Sequence, residues 1–221
     1  SHIVNDILDL EKISSGEVTF DFHDRDLCAV IGDSISEMSP FATTHKNELV
    51  AQLPDTPLMV RVDESRTRQV LANLISNACQ YSDDHTDVVV RAERLDDKVI
   101  VFIQNHGPGV PDSFRPRIFQ AFSQADGSDT RAKGGTGLGL NITRQIVTRQ
   151  GGAIGFESIP DGVTVFWFTC PIAESDAPQA PAPQQKRLPE RGRKLRVLHI
   201  EDDRDFAEVL RAGLGDVVQV T

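Results

Sequence analysis

Lys133-Gly-Gly-Thr-Gly-Leu-Gly-Leu140 runs straight into an apolar-periodic stretch that reads as a helix from Gly137 to Gln150. Glycine tolerates close backbone approach, and a helix start offers unpaired N–H donors with a favourable dipole. Such a junction suits phosphate. It is not a Walker loop, because no Gly-Lys-Ser/Thr follows, and no Rossmann strand immediately precedes it. Taken alone, the glycines fit a plain turn ahead of a helix equally well.

The rest of the pattern from Thr19 to about Pro171 predicts one domain of clustered strands and helices. Thr19 to Phe22 reads as a short strand, and Asp26 caps a helix from Leu27 towards Thr43. Glu48 to Leu53 and Leu58 to Val62 read as strands separated by Pro54-Asp55-Thr56-Pro57. Asp63 caps a long helix to about Tyr81, with Val70, Leu71, Leu74, Ile75 and Ala78 as its buried face. Two strands, Asp87 to Arg94 and Lys98 to Gln104, flank Asp96-Asp97. A Gly/Pro turn, a short helix near Arg117 to Phe122 and a polar stretch from Ser123 to Gly135 come next. After the glycine-led helix, strands near Ile154 and from Val163 to Thr169 close the unit. Hairpins mixed with helices predict an α+β fold: a two-layer sandwich whose mixed, mostly antiparallel sheet is covered on one face by helices.

The flanks differ from this unit. Ile3, Val4, Ile7, Leu8 and Leu10 fall at helical spacing and Gly16 follows, as at the end of a helix that needs a partner for its stripe. Residues 173–194 hold Pro178, Pro181, Pro183 and Pro189 among polar residues and read as a linker. Residues 195–221 read as strand, helix from Phe206 to Leu214, and strand, a fragment too short for its own core. The expected division is therefore 1–17, 18–172, 173–194 and 195–221, a piece of something longer.

Charge narrows the partners. Twenty-three Lys and Arg against 33 Asp and Glu leave a net charge of −10. Such a surface repels nucleic acid and anionic lipid. No apolar run approaches the ~20 residues that span a bilayer. Cys28, Cys79 and Cys170 stand apart in apolar stretches, without zinc spacing, as reduced buried thiols of a cytoplasmic protein do.

Two further patterns carry chemistry. Asn105-His-Gly-Pro-Gly109 follows an apolar strand and, with Val110, makes a pocket wall with a polar side chain at its lip, or simply a turn. Asn73 and Asn77, four apart on the long helix, lie beside its apolar stripe. Two such amides either bond within the core or face a ligand, since an amide oxygen can be one of the few protein ligands of Mg²⁺.

In order, Asn-x-x-x-Asn, Asn-His-Gly-Pro-Gly, Arg117-Ile-Phe-Gln-Ala-Phe122 and Gly-Gly-Thr-Gly-Leu-Gly-Leu strongly resemble the catalytic ATP-binding domain of sensor histidine kinases. That domain belongs to a superfamily shared with gyrase and the mismatch-repair protein MutL, whose fold is the Bergerat sandwich. The likeness covers roughly Asp21 to Pro171. Ile3 to Ile13 looks like the end of the kinase dimerisation hairpin, which implies a homodimer. Leu195 to Asp203 resembles the first strand of a receiver domain, with Glu201 and Asp202 at its Mg²⁺-binding acidic pair. The whole resembles a slice of a hybrid kinase, with its own histidine-bearing and receiver domains as partners.

The resemblance implies a site for ATP and Mg²⁺. Asn77 would coordinate Mg²⁺ between phosphate oxygens, with Asn73, Gln80 and Tyr81 facing the nucleotide from the same helix. Gly107 and Gly109 would let the backbone pass close to adenine, and Asn105 would read its exocyclic amine. Phe119 and Phe122 would anchor a mobile lid, from which Arg131 and Lys133 reach phosphate. Backbone near Gly135, Thr136, Gly137, Leu138 and Gly139 would hold the phosphates. Asn73 stands where hydrolysing relatives carry a water-activating glutamate, which favours phosphoryl transfer to a histidine.

The sequence departs from the family at two places. Asn105 replaces the usual aspartate and Gln80 a common lysine, so a degenerate pseudokinase serving as an interaction module is the alternative. None of the six histidines lies in a phosphoacceptor box, so the chain is not expected to phosphorylate itself.

Overall fold

A computed structural model describes residues 11–12, 18–124, 136–160, 162–173, 195–197 and 218–220. The expected helix over Ile3–Leu10, most of the linker, the helix from Phe206, and Arg131, Lys133, Gly135, Glu201 and Asp202 lie outside them.

The first strand is β1, His23–Asp26, which pairs antiparallel with β3, Met59–Val62. The strand expected at Thr19–Phe22 is thus displaced towards the C-terminus. Phe20 and Phe22 stack on each other at 5.8 Å instead, and Phe20 packs against the core. Asp26 caps α1 (Leu27–Thr44) by accepting from the Cys28 N–H at 3.0 Å, as its sequence position predicts.

Helix α2 spans Glu64–Tyr81. Its cap, Asp63, is only 6% exposed and accepts from Asp21 N–H, Ser65 Oγ and Arg66 N–H. Burial pushes this carboxyl up, but those bonds outweigh it and hold the pKa below the ordinary 3.8. Gln150 Oε1 accepts from the Asp63 N–H at 2.8 Å, tying the start of α2 to the end of α3 (Gly139–Arg149).

The main sheet runs in the order β2-β4-β5-β7-β6. Its strands are β2 (Glu48–Gln52), β4 (Asp87–Leu95), β5 (Lys98–Gly107), β6 (Ile154–Ser158) and β7 (Gly162–Pro171). Only the β2–β4 pair is parallel, with α2 inside its crossover. Alternation sends Val99, Val101 and Ile103 of β5, with Cys170, Phe168 and Phe166 opposite them on β7, to one face. There they meet Leu27, Val30 and Ile31 of α1, Leu71, Leu74 and Ile75 of α2, and Ile142, Ile146 and Val147 of α3. Each fully buried aliphatic chain contributes about 1.5–3 kcal/mol. Truncating Leu74 to alanine would cost roughly 2–5 kcal/mol. The two-layer α+β architecture is as expected. Strands β8 (Leu195–Val197) and β9 (Val218–Val220) pair in parallel as a separate two-stranded sheet.

Among local departures, the helix expected over Arg117–Phe122 is a single 3-10 turn at Arg115–Arg117. Cys79 and Cys170 are buried, whereas Cys28, in the first turn of α1, is partly exposed rather than buried.

Candidate functional site

A cavity of about 250 Å³ lies between α2, α3 and the adjoining ends of β5 and β7. Asn73, Ser76, Asn77, Gln80 and Tyr81 line it from α2. They repeat the spacing of Leu71, Leu74, Ile75, Ala78 and Cys79 two residues further on, which turns them to nearly the opposite side of the same helix. One amphipathic pattern therefore supplies both the core stripe and the polar wall.

The opposite wall begins at the N-terminus of α3. Gly137 takes a φ of +70°, and a Cβ there would lie 2.9 Å from the Ser123 carbonyl oxygen. Only glycine fits that conformation and that approach without strain. The N-cap residue Leu138 offers no side-chain cap, and among the described residues none takes the first-turn N–H groups of α3, which leaves them to a ligand. Thr136 Oγ1 accepts from the Leu138 N–H at 3.2 Å, upstream of that turn. Asn73 Nδ2 reaches the Gly139 carbonyl at 3.4 Å and Thr143 Oγ1 at 3.3 Å, joining the two helices beneath the cavity.

The third wall is the end of β5. This strand continues to Gly107, so Asn105 lies within the sheet, opposite Thr164 of β7, rather than in a turn at the pocket lip. Asn105 is 3% exposed and lines the cavity. Its side chain has no hydrogen-bond partner among the described residues, and neither has that of Asn77. Gly109 has a φ of +78°, and a Cβ there would meet the Ile159 carbonyl oxygen at 2.8 Å. Val110 N–H donates to Ser158 Oγ at 2.9 Å, and Ser158 Oγ lies 2.7 Å from Thr164 Oγ1. Val110, Pro111, Phe114, Ile118 and Phe166 complete an apolar lining.

The sequence-predicted residues thus divide. Asn73, Asn77, Gln80, Tyr81, Asn105, Gly109, Thr136, Gly137 and Gly139 all line one cavity. Gly107, Phe119, Phe122 and Leu138 do not. Gly107 sits against the end of α2, where a Cβ would lie 2.2 Å from the Tyr81 carbonyl oxygen. Leu138 is fully buried in the core. Phe119 packs edge-on to Phe156 at 6.1 Å and Phe166 at 6.4 Å, and its carbonyl accepts from Asn141 Nδ2 at 2.9 Å. Phe122, expected to anchor alongside it, is 66% exposed with a φ of +60°. Thr164, Ser158, Phe114 and Ile118 belong to the cavity or its support and carry no local sequence signal. Strand pairing and the 3-10 turn deliver them.

The donor set favours a ligand that brings its own anionic oxygens. Among the described residues no three His, Cys, Asp or Glu side chains come together as a metal site. A divalent cation beside Asn77 would have to take the rest of its oxygens from the ligand and water, as Mg²⁺ does with phosphates. The first-turn N–H groups of α3 would suit such phosphates as donors. Burial raises the Tyr81 phenol pKa, so it stays neutral.

Two layers, a mixed sheet, and an amide-lined helix facing a glycine-led one define an ATPase-type nucleotide domain. Residues 62–174 match the family of histidine kinase-, DNA gyrase B- and HSP90-like ATPases, and the chain belongs to it. Its curated relatives include sensor histidine kinases. It is 37% identical over 204 residues to the sensor histidine kinase GacS of Pseudomonas protegens, covering 89% of this chain and 22% of that protein. It is 35% identical to the sensory/regulatory protein RpfC of Xanthomonas campestris, over 77% of this chain and 24% of that one. The chain therefore spans about a fifth to a quarter of the length of these relatives.

Solved structures show the same fold. The catalytic domain of histidine kinase ThkA superposes with a TM-score of 0.59 at 28% identity, covering 69% of this chain and 96% of that one. Full-length ShkA in complex with AMPPNP superposes at 0.71 and 24% identity, over 100% of this chain and 45% of that one. No described helix is long and apolar enough to cross a membrane.

Proposed function

We propose that this chain is the ATP-binding catalytic part of a hybrid sensor histidine kinase. It would bind Mg²⁺·ATP and pass the γ-phosphoryl group to a histidine outside residues 1–221, and from there to a receiver aspartate. The observation that carries the proposal is the cavity bounded by Asn73 and Asn77 on α2 and by Gly137 and Gly139 at the start of α3. The buried amide of Asn105, without a partner among the described residues, stands at its third wall.

In this reading the adenine ring lies between Asn105 and the apolar lining of Val110, Phe114, Ile118 and Phe166. The triphosphate extends towards the first turn of α3, whose N–H groups bond its oxygens. Asn77 Oδ1 would hold Mg²⁺, which would supply charge neutralisation. Asn73 cannot take a proton, so it does not prepare water for attack. Its Nδ2 instead fixes α3 against α2 and so fixes the phosphate donors. Phosphoryl transfer to a neutral imidazole needs this positioning and charge stabilisation rather than a strong base. The donor would act within a homodimer formed through the helical hairpin, with the receiver as the second partner.

Calorimetric titration of ATP into the chain in Mg²⁺ buffer tests binding, and one saturable site is expected. Mixing the chain with the histidine-bearing hairpin should then give an acid-labile phosphoprotein. No heat at millimolar ATP would overturn the reading.

A second reading rests on Asn105 and Gln80, neutral where the family usually has charged residues: a pseudokinase that keeps the fold as a dimerisation and regulatory module. Nucleotide binding without any phosphohistidine formation would favour it.

A further inference from the structure

Asn105 is almost fully buried, lines the cavity, and has no amide partner among the described residues. An amide differs from a carboxylate in one respect that matters here. It presents an acceptor and a donor, exchanged by a half-turn of its terminal bond, where a carboxylate presents only acceptors. Across the sheet register from it, Thr164 also lines the cavity. Thr164 Oγ1 and Ser158 Oγ are 2.7 Å apart and either can donate, while Ser158 Oγ accepts from the Val110 N–H. Both polar groups beside the base can therefore reverse the sense of their hydrogen bonds.

We propose that Asn105 and Thr164 make this subsite permissive at the purine 6-position, so that it takes 6-oxopurine nucleotides as well as adenine nucleotides. The inference rests on the nucleotide reading of the cavity. With a 6-amino base, Asn105 Oδ1 accepts from the exocyclic amine and the Thr164 hydroxyl donates to ring N1. With a 6-oxo base, Asn105 Nδ2 donates to the carbonyl and Thr164 Oγ1 accepts from the protonated N1. An aspartate at 105 would set a negative charge against that carbonyl oxygen. Leaving a buried polar group facing the wrong partner lowers affinity by roughly 10- to 100-fold.

ATP and ITP, each with Mg²⁺, are titrated into the full chain by calorimetry. Hypoxanthine lacks the 2-amino group of guanine, so the comparison reports the 6-position and the adjoining N1 alone. The expected result is ITP binding within about tenfold of ATP, with Asn105→Asp widening the gap by roughly 10- to 100-fold. A wild-type chain that binds ATP but takes ITP more than about tenfold more weakly overturns the inference and leaves the kinase reading intact. Binding of neither nucleotide overturns both. The wild-type ratio decides without any variant, and thermal melting checks that Asn105→Asp is folded.

Discussion

Asn73 and Gly139, sixty-six positions apart in sequence, meet where the Asn73 Nδ2 donates to the Gly139 carbonyl at 3.4 Å. The same amide reaches Thr143 Oγ1 at 3.3 Å, so one side chain on α2 sets the first turn of α3. Replacing it with aspartate removes both donors and aims a carboxylate at a carbonyl. Asn73→Asp should lose about 1–2 kcal/mol of stability, a fall of roughly 3–6 °C in melting temperature. ATP affinity should drop at least about tenfold, because the phosphate donors move with the helix turn. Unchanged melting and binding would show that the contact holds nothing in place.

Asn77 gives the opposite signature. Its side chain faces the cavity without a described protein partner. Asn77→Ala should leave stability within about 0.5 kcal/mol, as for substitutions that break no internal contact. Calorimetry should show Mg²⁺-dependent ATP binding falling by about 100-fold while Mg²⁺-free binding barely changes. A large loss of stability would instead mean that Asn77 is a structural residue.

Asp63 links the fold to pH. As the cap of α2, its replacement by alanine should cost about 1–2 kcal/mol at neutral pH. Its folded pKa lies below the ordinary 3.8, so its contribution is fully present above that value. It is lost as pH falls through the folded pKa. Urea unfolding of wild type and Asp63→Ala should therefore show a constant difference from about pH 5 to 8 that shrinks below about pH 4. A difference that grows in acid would contradict the hydrogen-bond account.

The thiols should be distinguishable chemically. Burial pushes Cys170 up to about 12 and Cys79 to about 11. Cys28 is also raised, by burial and then by the neighbouring Asp26 charge, but it remains partly exposed. A chromogenic disulfide reagent at pH 8 should label Cys28 alone in the native chain and all three after denaturation. The Cys28 rate should still be climbing above about pH 9, because its thiolate forms late. Rapid native labelling of two or three thiols would be inconsistent with the packing.

Much of this was readable in the residues, where the signal was local. Asp26 and Asp63 precede apolar-periodic runs and do cap α1 and α2. The pair Asn73 and Asn77 and the glycines at 137 and 139 meet at one cavity because each group belongs to a single helix end or face. What escaped was set by pairing at a distance. Strand β1 starts at His23 because its register is imposed by Val62 to Met59, while Phe20 and Phe22 keep the alternation and stack on one side but have no paired strand among the described residues. Asn105 is drawn into the sheet by the long β7, which pairs as far as Gly162 opposite Gly107. Thr164 and Ser158 reach the site through the same ladder. Nothing near either residue in the chain announces it.

The place of β7 between β5 and β6 has a bearing on how the chain is made. During synthesis β5 emerges early with one partner, β4, and one open edge of unpaired N–H and C=O groups. Its second partner leaves the ribosome only after the glycine segment and α3 have been added, several seconds later at roughly 5–20 residues per second. For that interval the nascent domain offers an unpaired strand edge to its neighbours, and chaperone engagement should concentrate there.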